Sequence, residues 1–409
     1  MSILRPFKAL RPRADVASLV ASVPYDVVDR AEAAALASGN PLSFLHVSRS
    51  EIDLPADTHP YSDAVYRTAA QRFNMLREDD ILEEDIAPCL YVYRLVMGDH
   101  VQTGIVATFA VDEYDADAIK KHEKTRKEKE DDRTRHIVEL RAQTGPVFLA
   151  HRPVTGLTAE VARVIAEPPL YDFTASDGIQ HTVWRVEETA PLERLFASLP
   201  ALYIADGHHR AASAGRTRAR LREEAGTAWT GTEEANFFLA VAFPSDHLRI
   251  LPYNRLVADL NGLSPDDFLT AVRERFGAEP DADPSPKAPH TCAMYLGGRW
   301  FGLDLGRVAG TAATPADRLD VALLQDHLLS PVLGIQDPRT DKRIDFVGGI
   351  RGTAELERAV NEGRAAVAFS MVATTLDQLM DIADAGQIMP PKSTWFEPKL
   401  RDALLIHTV

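Results

Sequence analysis

The sequence has 409 residues, roughly two to three times a typical single domain, so we expect two lobes or one large α/β unit with insertions. Apolar residues make up 45% and charged residues 26% of the chain, ordinary proportions that exclude a disordered, collagen-like or coiled-coil protein. The net charge of -15 would repel nucleic acid and disfavours general DNA binding. Cys89 and Cys292, the two cysteines, show no metal-ligand spacing, so neither a disulfide framework nor a zinc site is expected.

The N-terminus and the hydropathy of the chain predict a cytoplasmic protein without a membrane span. Charges and prolines interrupt residues 1–8, where a signal peptide would need an unbroken apolar stretch. No segment approaches the roughly 18 consecutive apolar residues of a transmembrane helix.

The first two thirds of the chain mix helical and strand patterns. A helix is predicted at 63–78, and two apolar runs on either side of Gly98-Asp99 predict a β-hairpin. Further along, the patterns predict a helix at 157–166, a strand at 181–186, a strand at 201–205 followed by a helix at 211–224, and strands at 237–243 and 248–251.

Residues 277–290 are rich in proline and aspartate and are predicted to be a linker or long surface loop. A hairpin at 292–305, a helix at 319–328 and a strand-helix-strand-helix alternation over 344–383 follow it. The predicted fold class is therefore mixed α/β. We expect a main lobe over 1–276 and a C-terminal α/β lobe over 291–409.

The sharpest sequence feature is Asp206-Gly207-His208-His209-Arg210, between an apolar run and helix-forming residues. Glycine lets backbone amides approach a ligand closely, and a helix N-terminus offers unpaired N–H groups. An arginine can bind phosphate through two hydrogen bonds. We therefore predict that Gly207, His208, His209 and Arg210 bind phosphate or nucleotide. Asp206 would hold Mg²⁺ or orient a histidine, and the histidines would serve acid–base or phosphate contacts. The alternative is a common Asp-Gly turn with incidental histidines.

A second feature is the basic segment, residues 120–135. It contains eight Lys and Arg residues against five Asp and Glu residues, a local charge of +3 in an acidic chain. Such a segment suits phosphate, with Lys124 and Thr125 as contacts and His122 or Glu123 as a base. The alternative is a solvated helix with i, i+4 ion pairs.

A third feature is the segment from Met389 to Lys399, which begins Met389-Pro390-Pro391-Lys392-Ser393-Thr394. Two prolines stiffen the backbone, so Lys392, Ser393 and Thr394 are predicted to form a preorganised anion or nucleotide contact. A rigid surface turn is the alternative. Neither a Walker-type phosphate loop nor a G-x-S-x-G nucleophile elbow occurs in the chain.

These motifs, with Arg5-Pro6-Phe7 and Pro24-Tyr25-Asp26-Val27, resemble a bacterial and archaeal family known as domain of unknown function 1015. The Asp-Gly-His-His-Arg turn is distantly similar to the signature of ParB/sulfiredoxin-like proteins, some of which are free-serine kinases that use ADP or ATP. The likeness implies a ParB/sulfiredoxin-like core with large N- and C-terminal additions. By the same likeness, residues 207–210 would bind phosphate, Asp206 would contact metal or ribose, and Glu123 would be the base for a substrate hydroxyl.

The favoured hypothesis is phosphoryl transfer between a nucleotide, ADP or ATP, and a small metabolite, with serine or phosphoserine as substrate and Mg²⁺ as cofactor. The catalytic residues would be Glu123, His122, His208 and Asp206. A phosphatase is the first alternative, because water in place of the substrate hydroxyl is all that differs. The second is a ParB-like nucleotide-binding regulator without turnover, and the third is a metabolite-binding protein. The sequence gives no oligomeric state.

Overall fold

The structure, a computed structural model, describes residues 4–310 and 312–409. It mixes helices and strands along its length, which confirms the predicted mixed α/β class. The α-helices are α1 (Ala17–Val20), α2 (Arg30–Ala37), α3 (Leu45–Ser48), α4 (Asp63–Glu78), α5 (Val111–Asp115), α6 (Lys127–Leu140), α7 (Leu157–Ile165), α8 (Ala190–Phe196), α9 (His208–Ala225), α10 (Pro265–Phe276), α11 (Gly306–Ala309), α12 (Asp320–Leu324), α13 (Gly352–Asn361) and α14 (Leu376–Asp384).

The strands are short except at the centre of the largest sheet. They are β1 (Leu4–Arg5), β2 (Ala9–Pro12), β3 (Leu82–Glu84), β4 (Leu90–Met97), β5 (His100–Ala110), β6 (Ile119–Lys120), β7 (Ala142–Gln143), β8 (Val147–His151), β9 (Tyr171–Thr174), β10 (Gln180–Val186), β11 (Leu202–Asp206), β12 (Phe237–Pro244), β13 (Arg249–Leu251), β14 (Tyr253–Val257), β15 (Glu279–Pro280), β16 (Thr291–Leu296), β17 (Arg299–Asp304), β18 (Ile344–Gly348), β19 (Val367–Met371), β20 (Trp395–Glu397) and β21 (Ile406–Thr408).

The chain forms two compact units. The first contains the described residues up to Leu248 together with Pro398–Val409, and the second is Arg249–Glu397. This division differs from the expected one, because residues 277–290 lie inside the second unit. Part of that segment, β15, pairs with β17 at a sheet edge, and edge pairing through the backbone leaves no apolar pattern in the sequence.

The first unit is built on a nine-stranded mixed sheet with the strand order β6-β11-β8-β12-β5-β4-β10-β9, and β1 also pairs with β5. Apolar side chains of the sheet and of α7, α8 and α9 share one core, which includes Phe109, Leu149, Phe196, Ala211 and Phe238. β6 and β11 are parallel neighbours. Because parallel strands end at the same edge, the segments after β6 and after β11 leave the sheet side by side.

A second, four-stranded sheet of the first unit has the order β3-β2-β21-β7. It packs with α4 and α6 on a separate apolar cluster that includes Phe44, Phe73, Leu140 and Ile406. Through β21, residues 398–409 become part of the first unit.

The second unit contains a six-stranded antiparallel sheet, β15-β17-β16-β19-β14-β18, and a two-stranded sheet of β13 and β20. Leu356 and Ala359 of α13 pack on its apolar face. A single π-helical turn, Gln325–Leu329, continues α12. Within the described residues of both units, no helix is long and apolar enough to cross a membrane.

Candidate functional site

The predicted strand-turn-helix is present at the Asp-Gly-His-His-Arg motif. β11 ends at Asp206, Gly207 takes a left-handed conformation with φ of 90°, and α9 begins at His208. Glycine adopts this conformation without the steric cost that a Cβ would bring. No side chain caps the start of this 18-residue helix. Its first N–H groups are therefore donors for an anion, at the positive end of the helix dipole.

The first residues of the basic segment contact this turn, because β6 and β11 are parallel neighbours and the segments after them leave the sheet side by side. Residues 121–126 form a loop, and the helix of the segment begins only at Lys127. The backbone N–H of His122 donates to Nε2 of His208 at 3.4 Å, and that of Arg126 donates to Nε2 of His209 at 3.0 Å. The rings of His122 and His208 pack edge to face with centroids 4.4 Å apart. Both motif histidines therefore fix the loop on the helix.

His122 and His208 are buried and uncharged at neutral pH. Burial lowers the pKa of His122 to about 4. Burial, with the neighbouring His122, holds the pKa of His208 well below its usual value. Because Nε2 of His208 accepts a hydrogen bond, its proton is on Nδ1. These imidazoles hold the loop in place. Because they are buried, the structure does not support their predicted roles in acid–base catalysis or phosphate contact.

Glu123 is the exposed acidic group at the turn. Its side chain retains 43% of its surface, and Oε2 lies 3.8 Å from Nδ1 of His208. The next two residues differ from each other: Lys124 is exposed, whereas Thr125 is half-buried and donates to a carboxylate oxygen of Glu130. Glu123 and Lys124 thus lie at the surface beside the N-terminus of α9, and Thr125 mainly fixes the loop to α6.

Asp206 is paired with Lys399, the last residue of the segment 389–399, for which the sequence predicts no role. Lys399 donates from Nζ to Oδ2 at 3.1 Å, and the N–H of Gly207 donates to Oδ1 at 2.9 Å. Burial alone would raise the pKa of Asp206, but the charges of Lys399 and Arg210 hold it well below its usual value. Asp206 is therefore ionised throughout the physiological range.

The arrangement around Asp206 does not fit Mg²⁺. The ion prefers octahedral oxygen ligands, whereas both oxygens of Asp206 already accept hydrogen bonds and the Lys399 ammonium occupies the place of a cation. In the described part of the chain, no group of three or more His, Cys, Asp or Glu side chains is arranged to hold a metal ion. The predicted metal role of Asp206 is thus at odds with its contacts.

Arg210 points away from the surface of the turn. Its side chain is 9% exposed, and it donates to the carbonyl of Pro146 at 2.6 Å and to Asp26 at 3.3 Å. It borders a small cavity of about 40 Å³ together with Tyr25, Arg133 and Asp402. Its predicted phosphate contact would require these bonds to break. In the structure Arg210 organises a buried network of charges.

Lys392, Ser393 and Thr394 belong to the second unit. Ser393 donates to the carbonyl of Pro390 at 2.6 Å and accepts from Thr374 through its own carbonyl, so the loop is held by its own unit. Lys392 has a left-handed backbone, φ 57°, and its side chain is exposed. Their contribution to a shared site with the turn stays a prediction.

Four residues around the turn have no predicted role from the sequence: Lys399, Asp402, Arg133 and Asp26. Asp26 lies in the motif Pro24-Tyr25-Asp26-Val27, and Lys399 ends the segment 389–399, but neither pattern indicates a function for them. Arg133 belongs to the basic segment, yet it is buried and lies over the Tyr25 ring at 4.0 Å. Lys399 and Asp402 reach the turn through tertiary folding alone, and no local pattern indicates that they do.

A family model described as "Protein of unknown function (DUF1015)" matches residues 4–322, more than half of the chain. The chain belongs to this family. The resemblance inferred from the motifs is thereby confirmed. No curated protein matches the sequence.

Several solved structures are partly similar to the chain. A free serine kinase in complex with AMP shares 14% identity over 74% of this chain and 92% of its own, with a TM-score of 0.33. A conserved hypothetical protein from Pyrococcus furiosus shares 13% over 74% of this chain and 94% of its own, with a TM-score of 0.33. SbnI with a C-terminal truncation, from Staphylococcus aureus, shares 10% over 73% and 87%, with a TM-score of 0.37. Scores this low establish neither a common fold nor a common activity, and the ParB/sulfiredoxin-like core stays a prediction.

Proposed function

We propose that the chain transfers a phosphoryl group between a nucleotide, ADP or ATP, and a small hydroxyl-bearing metabolite, with serine or phosphoserine as the substrate. The observation that carries the proposal is the meeting of loop 121–126 with the first turn of α9. It brings the exposed carboxylate of Glu123 to the uncapped N-terminus of α9, where Lys399 is paired with Asp206.

The N-terminus of α9 supplies the anion subsite. Its first N–H groups and the helix dipole favour a phosphate, and the left-handed Gly207 presents no side chain that would block its approach. In phosphoryl transfer, catalysis comes mainly from positioning and from neutralising charge on the transferred group. We assign this role to Lys124, which is exposed in the adjacent loop.

Glu123 is the base of the proposed reaction. Its carboxylate accepts the proton of the substrate hydroxyl as the hydroxyl oxygen forms a bond to phosphorus, and the bond between phosphorus and the nucleotide oxygen breaks. Nδ1 of the neutral His208 lies 3.8 Å from Oε2 of Glu123, and in the proposed reaction this contact shortens so that His208 donates to the carboxylate and orients it. Asp206 acts through Lys399, whose ammonium it holds beside the turn.

Two alternatives use the same residues. A phosphatase would place water where the substrate hydroxyl lies, so Glu123 would activate water instead. A regulator without turnover would bind nucleotide at the α9 N-terminus, and the net charge of -15 weighs against a DNA-bound form of it.

Phosphorus NMR separates these functions. The full chain is incubated in buffer containing Mg²⁺, which nucleotide phosphates carry in solution, with serine plus ADP or ATP, or with phosphoserine alone. We expect phosphoserine to form from serine and nucleotide. Inorganic phosphate released from phosphoserine alone would identify the phosphatase. Nucleotide binding with no turnover would favour the regulator, which a titration with duplex DNA at two salt concentrations then tests.

The role of Glu123 is tested by Glu123→Gln, with Glu128→Gln as the matched control, since both side chains are exposed on the same segment. Loss of a positioned base lowers the rate about 10² to 10⁴-fold, and the control should keep the wild-type rate. An active Glu123→Gln variant would refute the assignment of the base.

A further inference from the structure

The second unit contains a cavity of about 290 Å³ that the proposed reaction does not use. Its walls are largely apolar and include Leu329, Phe346, Pro390 and Pro391, and Arg255 lines it as well. Ligand sites in proteins typically combine apolar walls with a few placed polar groups, and this volume is just below their usual range of about 300–1,000 Å³.

Arg255, on β14, is the group that makes this cavity unusual. The residue is only 3% exposed, yet within residues 4–310 and 312–409 no carboxylate forms an ion pair with it. Its guanidinium donates to two backbone carbonyls, that of Tyr253 and, at 3.1 Å, that of Lys392. Three of its five N–H donors are left over. Burial lowers the pKa of Arg255 to about 10, so it is still charged at neutral pH.

The other charged groups at the cavity do not neutralise Arg255. Asp337 and Arg339 also line it, but they pair with each other through two contacts of 2.9 Å. A buried charge without an opposite charge beside it is costly, and a bound anion would reduce that cost. The charged groups that line the cavity therefore sum to +1, which a single negative group would match.

The segments that border the cavity have a fixed but irregular backbone. One wall is the π-helical turn Gln325–Leu329, and such turns occur frequently at functional sites. Pro390 and Pro391 also line the cavity, and they are followed by Lys392 with its left-handed φ of 57°. The carbonyl of Lys392 accepts from Arg255, so this unfavourable conformation of the loop is part of how the arginine is held.

We propose that this cavity binds a small organic acid, its single carboxylate on Arg255 and its apolar body against the walls formed by Leu329, Phe346 and the two prolines. The planar fork of a guanidinium matches a carboxylate with two parallel hydrogen bonds. A doubly charged phosphate would need a second free cation, and Arg339 is committed to Asp337. This site does not depend on the phosphoryl-transfer proposal.

Benzoate is a suitable probe, with benzyl alcohol as its uncharged counterpart and phenyl phosphate as the phosphate arm. Binding to the full chain is measured by calorimetry and by the shift of the unfolding temperature, each against sodium chloride at equal ionic strength. We expect benzoate to bind, benzyl alcohol to bind more weakly by roughly tenfold or more, and phenyl phosphate to bind no better than benzoate.

Three variants locate the binding. Arg255→Gln should weaken benzoate roughly tenfold or more, and Arg255→Lys should lose part of the affinity, because an ammonium offers a charge without the planar fork. Val321→Phe fills the cavity from its apolar side and should abolish binding while it leaves Arg255 in place. It gives a result even where the arginine variants fail to fold. Arg299→Gln, at an exposed arginine of the same unit, is the control and should bind as the wild type does.

The proposal is overturned if the wild-type chain does not bind benzoate at millimolar concentration, or if it binds benzoate and benzyl alcohol equally well. It is also overturned if Val321→Phe binds benzoate as the wild type does, or if sodium chloride produces the same shift of the unfolding temperature as benzoate. Tighter binding of phenyl phosphate than of benzoate would overturn the choice of a carboxylate and identify a phosphate site instead.

Discussion

Asp402, at the cavity beside Arg210, should make stability depend on pH in an unusual direction. The residue is 2% exposed, and Oδ1 has no hydrogen-bond partner among the described residues. Burial raises the pKa of this carboxyl from 3.8 to about 7, although the charge of Arg210 opposes the shift. Asparagine has nearly the same shape and no charge, so Asp402→Asn isolates the titration of this group.

The direction and the size of this pH dependence follow from proton linkage. Because the folded state binds the proton more tightly than the unfolded state, the stabilisation by Asp402 is present below about pH 4 and is lost as the pH rises through about 7. Between pH 5 and pH 8 this loss corresponds to about two pKa units, or about 3 kcal/mol. The free energy of unfolding of Asp402→Asn, measured relative to that of the wild type, should therefore rise by about 3 kcal/mol from pH 5 to pH 8.

The assay is urea unfolding of both proteins at pH 5, 6, 7 and 8. The nearby His136, whose pKa burial lowers to about 4, titrates in both proteins and largely cancels in the difference. Asp281→Asn, at a carboxylate that is 79% exposed, is the matched control for the change of carboxylate to amide. If the free energies of unfolding of the wild type and Asp402→Asn differ by an amount that is constant within about 0.5 kcal/mol from pH 5 to pH 8, the reasoning is refuted, because Asp402 is then ionised throughout.

Two further changes test the packing and the ion pair of the first unit. Gly104→Ala should lower the free energy of unfolding by about 1–3 kcal/mol, because the new Cβ would lie 2.7 Å from the Phe243 ring. The control is Gly310→Ala in the second unit, where no atom of the described residues lies within 4 Å of the new Cβ, and it should be nearly neutral in the same denaturation assay. Lys399→Met removes the charge that lowers the pKa of Asp206, a stabilisation that is present above pH 4 and lost on acidification. The free energy of unfolding of Lys399→Met should therefore be lower than that of the wild type by about 1–3 kcal/mol at pH 6 and by less at pH 3. Equal differences at both pH values would contradict the ion pair.

Local patterns predicted the elements of this fold well. The helix expected at 63–78 is α4, and the hairpin expected around Gly98-Asp99 is β4 and β5. Both have a strong signal over consecutive residues, since an amphipathic helix and a pair of apolar strands around a turn are each encoded within about 20 positions. The strand-turn-helix at Gly207 was predictable for the same reason.

The candidate site was only partly predictable, because much of it is built by long-range pairing. The contact of loop 121–126 with the turn depends on β6, a strand of two residues whose parallel partner lies about 80 positions away. Lys399 is 193 positions from Asp206. Neither pairing leaves a periodic pattern. The burial of Arg210 was equally hidden, since the same residue type serves both surface phosphate contacts and buried networks.

The return of residues 398–409 to the first unit has a consequence for biosynthesis. The ribosome completes all of Arg249–Glu397 before it releases β21 and the segment with Lys399 and Asp402. During that interval the four-stranded sheet lacks an inner strand, and β2 and β7 expose edges that invite non-native pairing. A nascent chain is thus vulnerable for the time needed to translate the second unit, at about 5–20 residues per second.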